Sequence, residues 1–177
     1  HSSQRLDQWL LITGVLAAAL ILIALAWPWM QGRVYVRDDL PSFHLPVRAL
    51  YAASLKRGEN FLWLPQLLGG FYAHGEGQVG MLHPLHLLMY GTLPFTAAFN
   101  LELLLSYVAL LGGMFCVLRH WDLDRGPAVF GALLFAFSGF NLLHFVHPNM
   151  VAVIAHTPWL ILAIDLAISS PDPRRAA

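Results

Sequence analysis

The sequence predicts an all-α polytopic membrane protein, with four transmembrane helices and a long outer loop that carries an amphipathic interfacial helix. Three observations point to that class. Of the 177 residues, 58% are hydrophobic and only 11% are charged, proportions that do not suit a soluble globular domain. Apolar runs long enough to cross a bilayer, with at most one charged residue each, recur along the chain. Between the first two of them lies a polar stretch punctuated by proline and glycine.

The mean hydropathy of +0.61 agrees with this class. Lys plus Arg and Asp plus Glu number 10 each, so no basic field exists to attract nucleic acid. The single cysteine, Cys116, lies within an apolar run, which excludes an internal disulfide and any multi-cysteine metal site. It reads as a small apolar packing residue.

The first span is Trp9 to Trp27, which contains no charge and at about 1.5 Å per residue covers roughly the 30 Å of a bilayer core. Its terminal tryptophans suit the interfacial belt, and Pro28 is expected to end it. The run is too long for the core of a signal peptide and has no small-residue cleavage site after it. The chain begins at His1 and closes on a loop-like tail, Pro171 to Arg175, which reads as a piece of a longer polypeptide.

The outer loop covers 28–96. Within it Val47, Leu50, Tyr51 and Leu55 recur at helical spacing, with Arg48, Lys56 and Arg57 elsewhere on the wheel. Pro46 suits a first turn, Lys56 and Arg57 a last turn, and Gly58 the position just past the end. This segment is expected to lie in the membrane interface. Asn60 to Gly80 holds Gly69, Gly70, Gly75, Gly77 and Gly80, too many for a stable helix, and reads as an ordered loop. Met81 to Tyr90 is apolar but short and contains Pro84, so it reads as an interfacial or re-entrant piece.

Three further spans are expected at 97–118, 127–146 and 150–168. The first carries Glu102 near its start, the second Ser138, Asn141 and His144, and the third His156 and Asp165. Polar residues inside spans are costly, so Glu102, Asn141, His144, His156 and Asp165 line a cavity or bond between helices, Glu102 and Asp165 lying close enough to the span ends to sit near the lipid headgroups. Arg5, Arg119, Arg125, Arg174 and Arg175 fall on one side, whereas the short link 147–149 opposite holds no Lys or Arg. The positive-inside rule therefore places the amino terminus in the cytoplasm and the long loop outside.

Chemistry is expected to begin at the adjacent carboxylates Asp38 and Asp39, next to Arg37. In an extended segment the two point to opposite faces, so one of them would face a cavity. The alternative is a solvated surface pair salted to Arg37. His74 and Glu76 flank Gly75 and are placed to join the carboxylates around a metal or a sugar, and His83 and His86 share a helical face. Neither spacing defines a metal site, and interfacial histidines or loop hydrogen bonds account for them as well. Arg48, Lys56 and Arg57 either attract a phosphate or snorkel from an interfacial helix.

Asp39 with Pro46 seven positions on, Gly58-Glu59, Trp63-x-Pro65, Gly69-Gly70, Gln78 and Pro84 follow one another in order. Arg119, Phe137-Ser138-Gly139 and Trp159 come after them. Together they resemble the amino-terminal part of the YfhO-like bacterial membrane proteins, within the GT-C superfamily of integral-membrane glycosyltransferases. The resemblance runs from about Trp9 to Ile168. It implies an enzyme that moves a sugar from a polyprenyl-phosphate carrier to an acceptor outside the bacterial cytoplasmic (inner) membrane. Members are much longer, so this chain would supply their first four spans and first outer loop.

A phosphate is already a good leaving group, so such a transfer needs a base for the acceptor hydroxyl, and positive charge or a divalent metal for the phosphate. The resemblance makes Asp39 the candidate base or metal ligand, with Asp38 beside it. Arg37, Arg48, His74, Glu76 and Gln78 are the candidate substrate-binding residues. The implied partners are the lipid-linked sugar donor, membrane lipids and other membrane subunits. Two rival readings are a non-catalytic transmembrane subunit of a larger membrane complex and a lipid or solute transporter.

Overall fold

The computed structural model describes residues 2–169, and every regular element among them is helical. The long helix α1 covers Ser2–Met30; a π-helical turn, Leu40–His44, runs directly into α2, Leu45–Arg57. Then come the short α3, Ala73–Glu76; α4, Pro84–Thr92; and the long α5, Phe95–His120. The chain closes with α6, Arg125–Ala136; α7, Gly139–Leu143, followed by a 3-10 turn, His144–Val146; and α8, Pro148–Ser169.

Helices α1, α5 and α8 are each long and apolar enough to cross a membrane. The expected third span, 127–146, is not one straight helix. It passes the same test only as a pair, Arg125–Ala136 and Gly139–Val146, bent by 40°. The break has a local cause. Phe137 leaves helical geometry at φ −108 and ψ 28, and Ser138 is extended, so its hydroxyl accepts from the Asn141 amide at 3.4 Å and starts a new helix. Asn141 Nδ2 donates to the Phe135 carbonyl at 2.7 Å, and Tyr107 donates its hydroxyl to the Asn141 carbonyl at 2.7 Å. Pro28 does not end α1, which continues to Met30. A proline there forfeits one backbone hydrogen bond.

The chain divides into two compact units. The first takes in 1–25, 105–144 and the chain from 151 onward. In it α1 lies close against α6 at Gly14, where a Cβ would fall 2.3 Å from Val129 Cγ1. Near the start of α1, Asp7 Oδ1 accepts the Gly126 N–H at 2.7 Å and satisfies one of the unpaired donors that open α6. The ends of α5 and α8 meet where His120 Nε2 and Trp121 Nε1 each lie 3.0 Å from Asp165 Oδ2. Trp159 Nε1 donates to the Ala109 carbonyl at 3.0 Å. One end of this unit thus gathers the start of α1, the end of α5, the start of α6 and the end of α8.

Gly14→Val is expected to push α1 off α6 and destabilise the protein by about 1–3 kcal/mol. The thermal midpoint in detergent would fall, whereas Leu16→Val, at an exposed position of the same helix, would leave it unchanged.

The second unit takes in 26–104 and 145–150. Its core is built from Val47, Tyr51 and Ala52 of α2, Met89 and Tyr90 of α4, Ala98 of α5, and Leu64, Ala73, Val79 and Met81 of the intervening chain. The glycine-rich stretch is therefore ordered, as expected, because three of its own apolar side chains, Leu64, Ala73 and Val79, are anchored. Leu64 and Phe71 form an antiparallel bridge, and Trp63 lies so close to Gly70 that a Cβ there would be 2.3 Å from the indole. Helix α2 ends at Gly58 as predicted, and Lys56 Nζ donates to the Leu93 carbonyl at 2.7 Å.

The expectation for α2 needs correction on one side. Val47, Arg48, Tyr51, Ala52 and Ser54 are buried in protein, so Arg48 is not on a solvated face. A second, smaller cluster joins Leu40, Phe99 and Val146, with Tyr35 against Phe145 at 5.1 Å between rings. It pins the 145–147 link beside the chain that carries Asp39.

Candidate functional site

The acidic pair lies in a turn, not in the extended segment the sequence suggested. Asp38 takes a left-handed φ of +49, which a short polar side chain tolerates, and the Leu40 N–H donates to the Arg37 carbonyl at 3.1 Å. Asp39 is helical, at φ −75 and ψ −11, and opens the Leu40–His44 turn. The two carboxylates consequently have different surroundings. Asp38 Oδ2 is 3.7 Å from Arg37 Nε, both side chains being well exposed, the solvated surface pair of the bland alternative. Such a pair contributes little stability.

Asp39 Oδ2 instead lies 3.0 Å from His147 Nε2, on the short link between α7 and α8. A carboxylate only accepts, so the hydrogen sits on His147 Nε2. Two residues further on, Asn149 Nδ2 donates to Gln78 Oε1 at 2.9 Å. The connection is shorter than the expected 147–149, because α8 begins at Pro148; His147 and the first turn of α8 thus gather Asp39 from one part of the loop and Gln78 from another. Half of the Asp39 side chain is open to solvent, at 59% against 33% for His147, so a ligand has access to the carboxylate.

The other candidates are distributed differently. Glu76 closes a local turn, its Oε2 accepting the Gln78 N–H at 3.0 Å, and His74 stands edge-on to Tyr72. Among the described residues no group of three His, Cys, Asp or Glu has the geometry to hold a metal ion. His83 and His86 do meet, with 5.0 Å between rings. His86 Nδ1 lies 3.1 Å from the Gly80 carbonyl and its Nε2 3.8 Å from Glu102.

Arg48 is committed to an internal ion pair. Its Nε and Nη2 reach the two oxygens of Glu102 at 2.7 and 2.5 Å, a bidentate fork. The side chains are 1% and 2% exposed. Tyr90 donates its hydroxyl to the same carboxylate, and Arg48 Nη1 is 3.1 Å from His44 Nδ1. Arg48 is thereby withdrawn from any role at the loop surface. Asn141, His144 and His156 bond to backbone carbonyls in or near their own helices, and Asp165 binds between helices, the structural alternative for these polar residues.

Burial, and then the adjacent Arg48 guanidinium, push His44 down to about 4. Glu102 and Asp39 pull the other way, and His147 adds to the lowering. Because the folded value lies below the ordinary 6.5, an unfolded chain binds this proton first. The stabilisation is complete above pH 6.5 and is lost as the pH falls towards 4. It amounts to about 3 kcal/mol for a shift of this size. A thermal midpoint followed between pH 7 and 4 should show that slope, and His44→Gln should flatten it.

Sequence reasoning passed over His147, Asn149, His44 and Tyr90. His44 had a signal, four positions before Arg48. His147 and Asn149 had none, since their partners lie 108 and 71 residues away, and Tyr90 pairs with Glu102 of the next helix at a separation of 12 residues, which no helical spacing marks. No family model, curated protein or solved structure matches this chain. What the fold defines is an all-helical, multi-pass membrane protein, with a polar cluster in the unit that holds the long loop.

Proposed function

We propose that this chain is the amino-terminal module of an integral-membrane glycosyltransferase of the GT-C kind, using a polyprenyl-phosphate-linked sugar on the outer face of the bacterial cytoplasmic membrane. The observation that carries the reading is Asp39, an accessible carboxylate fixed in a turn beyond the end of α1 and held by His147. An activated-sugar donor with a phosphate leaving group needs a base near the acceptor hydroxyl, and Asp39 supplies it. Arg37, with its side chain in solvent, supplies positive charge for the phosphate. Gln78 and Asn149 offer the amide groups that sugar hydroxyls require.

In this reading four segments cross the bilayer: α1, α5, the bent α6–α7 pair and α8. Arg5, Arg119 and Arg125 lie near helix ends gathered at one end of the first unit, which supports a cytoplasmic amino terminus. Arg174 and Arg175, which entered the same argument, lie outside the described residues.

The test is transfer of labelled sugar from a polyprenyl phosphate to an acceptor by the protein from its native membrane, reconstituted into vesicles. A non-catalytic transmembrane subunit is the second reading. The broad exposed flanks of α1, at Leu16, Leu20 and Ile23, and of α8, at Leu160, Ile164 and Ile168, must meet either lipid or the helices of partners, and the subunit reading takes the second. Absence of transfer, together with stoichiometric membrane partners, would establish that alternative.

A further inference from the structure

We infer that His147 is the positioning residue of the site: it holds one oxygen of Asp39 and leaves the other facing the acceptor hydroxyl. The inference rests on the glycosyltransferase reading for its catalytic consequence, but not for the contact itself. A free aspartate side chain at a half-exposed position samples several rotamers, and a base that must meet one hydroxyl loses rate in proportion to the time spent elsewhere. The contact at 3.0 Å removes that freedom. His147 is itself constrained from both sides. Val146 is buried with Leu40 and Phe99, Phe145 stands against Tyr35, and Asn149 is tied to Gln78. The link is consequently a rigid strap, and Leu40, one of the residues gripping it, directly follows Asp39.

The geometry also sets which nitrogen acts. Nε2 faces Oδ2 and carries the hydrogen, so His147 donates to the carboxylate and does not compete with it for the proton of the acceptor. Asp39 Oδ1 remains the accepting atom: it takes the hydroxyl proton as the acceptor oxygen bonds to the anomeric carbon, and the bond from that carbon to the phosphate oxygen breaks with its electron pair leaving on the carrier phosphate.

Two measurements on the full protein test this. The first is independent of turnover: a histidine ¹⁵N spectrum, with His147 assigned by its disappearance in His147→Gln. It should show an Nε2-protonated ring whose signals move in Asp39→Leu. A ring protonated on Nδ1 alone, or signals indifferent to Asp39→Leu, would overturn the inference whether or not sugar is transferred. The second is the transfer rate. His147→Leu should lower kcat by about 100-fold, the cost of a misplaced reacting group, with little change in KM for the donor. His147→Gln, whose amide nitrogen reaches the place of Nε2, should recover most of that loss. Full activity in His147→Leu, in a preparation where Asp39→Asn is inactive, would sink the inference and leave the glycosyltransferase reading standing.

Discussion

On the proposed glycosyltransferase reading, Asp39→Asn is expected to reduce sugar transfer by at least about 100-fold, the lower end of what a positioned general base contributes. The substitution is nearly isosteric, and the amide oxygen still accepts from His147, so the turn from Arg37 to Leu40 keeps its shape. What is lost is basicity alone: an amide does not take up the proton that the acceptor hydroxyl must release. Because 59% of the Asp39 side chain is exposed, the thermal midpoint should not move. Asp38→Asn is the internal control. Its carboxylate meets only solvent and Arg37, and its rate should stay close to that of the unaltered protein. Equal rates in Asp39→Asn and the unaltered protein would remove Asp39 from the mechanism.

Glu102→Leu is expected to have the largest effect on stability, about 3–5 kcal/mol, the usual result of leaving a buried charge without its partner. Arg48, 1% exposed, would retain its charge with neither water nor carboxylate to meet it. Tyr90 and His86 would lose the same acceptor. The double variant Arg48→Met/Glu102→Leu should regain much of the loss, since apolar groups of similar volume often replace a buried ion pair without penalty. Thermal midpoints in detergent for the single and double variants decide the matter. A single variant as stable as the parent would mean that the pair is hydrated in solution.

The elements most legible in the sequence were those whose evidence is local. The charge-free run after Trp9 corresponds to α1, and α5 and α8 follow their apolar runs to within a few residues at either end. The proline and glycine that bracket α2 also fall where they were expected. The bend between α6 and α7 was not read. Ser138 and Gly139 are a helix-start signal, but they sit inside a run apolar enough to pass as one span, and hydropathy outweighed capping.

The site was half legible. Asp39 and Gln78 are legible as candidates, but their partners, His147 and, in the first turn of α8, Asn149, are not. The Asp39–His147 contact joins residues 108 apart, and nothing in a one-dimensional pattern pairs an aspartate in one loop with a histidine in another. The sequence offers Arg48 as a phosphate-attracting or snorkelling cation because α2 looks amphipathic on its own. Its burial follows from Glu102, 54 residues away, for which a bond between helices is one of the sequence's alternatives, with nothing local to name Arg48 as the partner.

That separation of 54 residues also constrains biosynthesis. Arg48 leaves the ribosome well before Glu102, and a guanidinium does not enter an apolar interior alone. During elongation the segment around α2 must therefore stay hydrated, with Tyr51 and its neighbours uncovered, until the first turns of α5 are made. The ion pair then acts as a checkpoint in time: closure of the second unit is coupled to arrival of the next membrane helix, and a nascent chain halted before Glu102 would present an open, protease-sensitive loop.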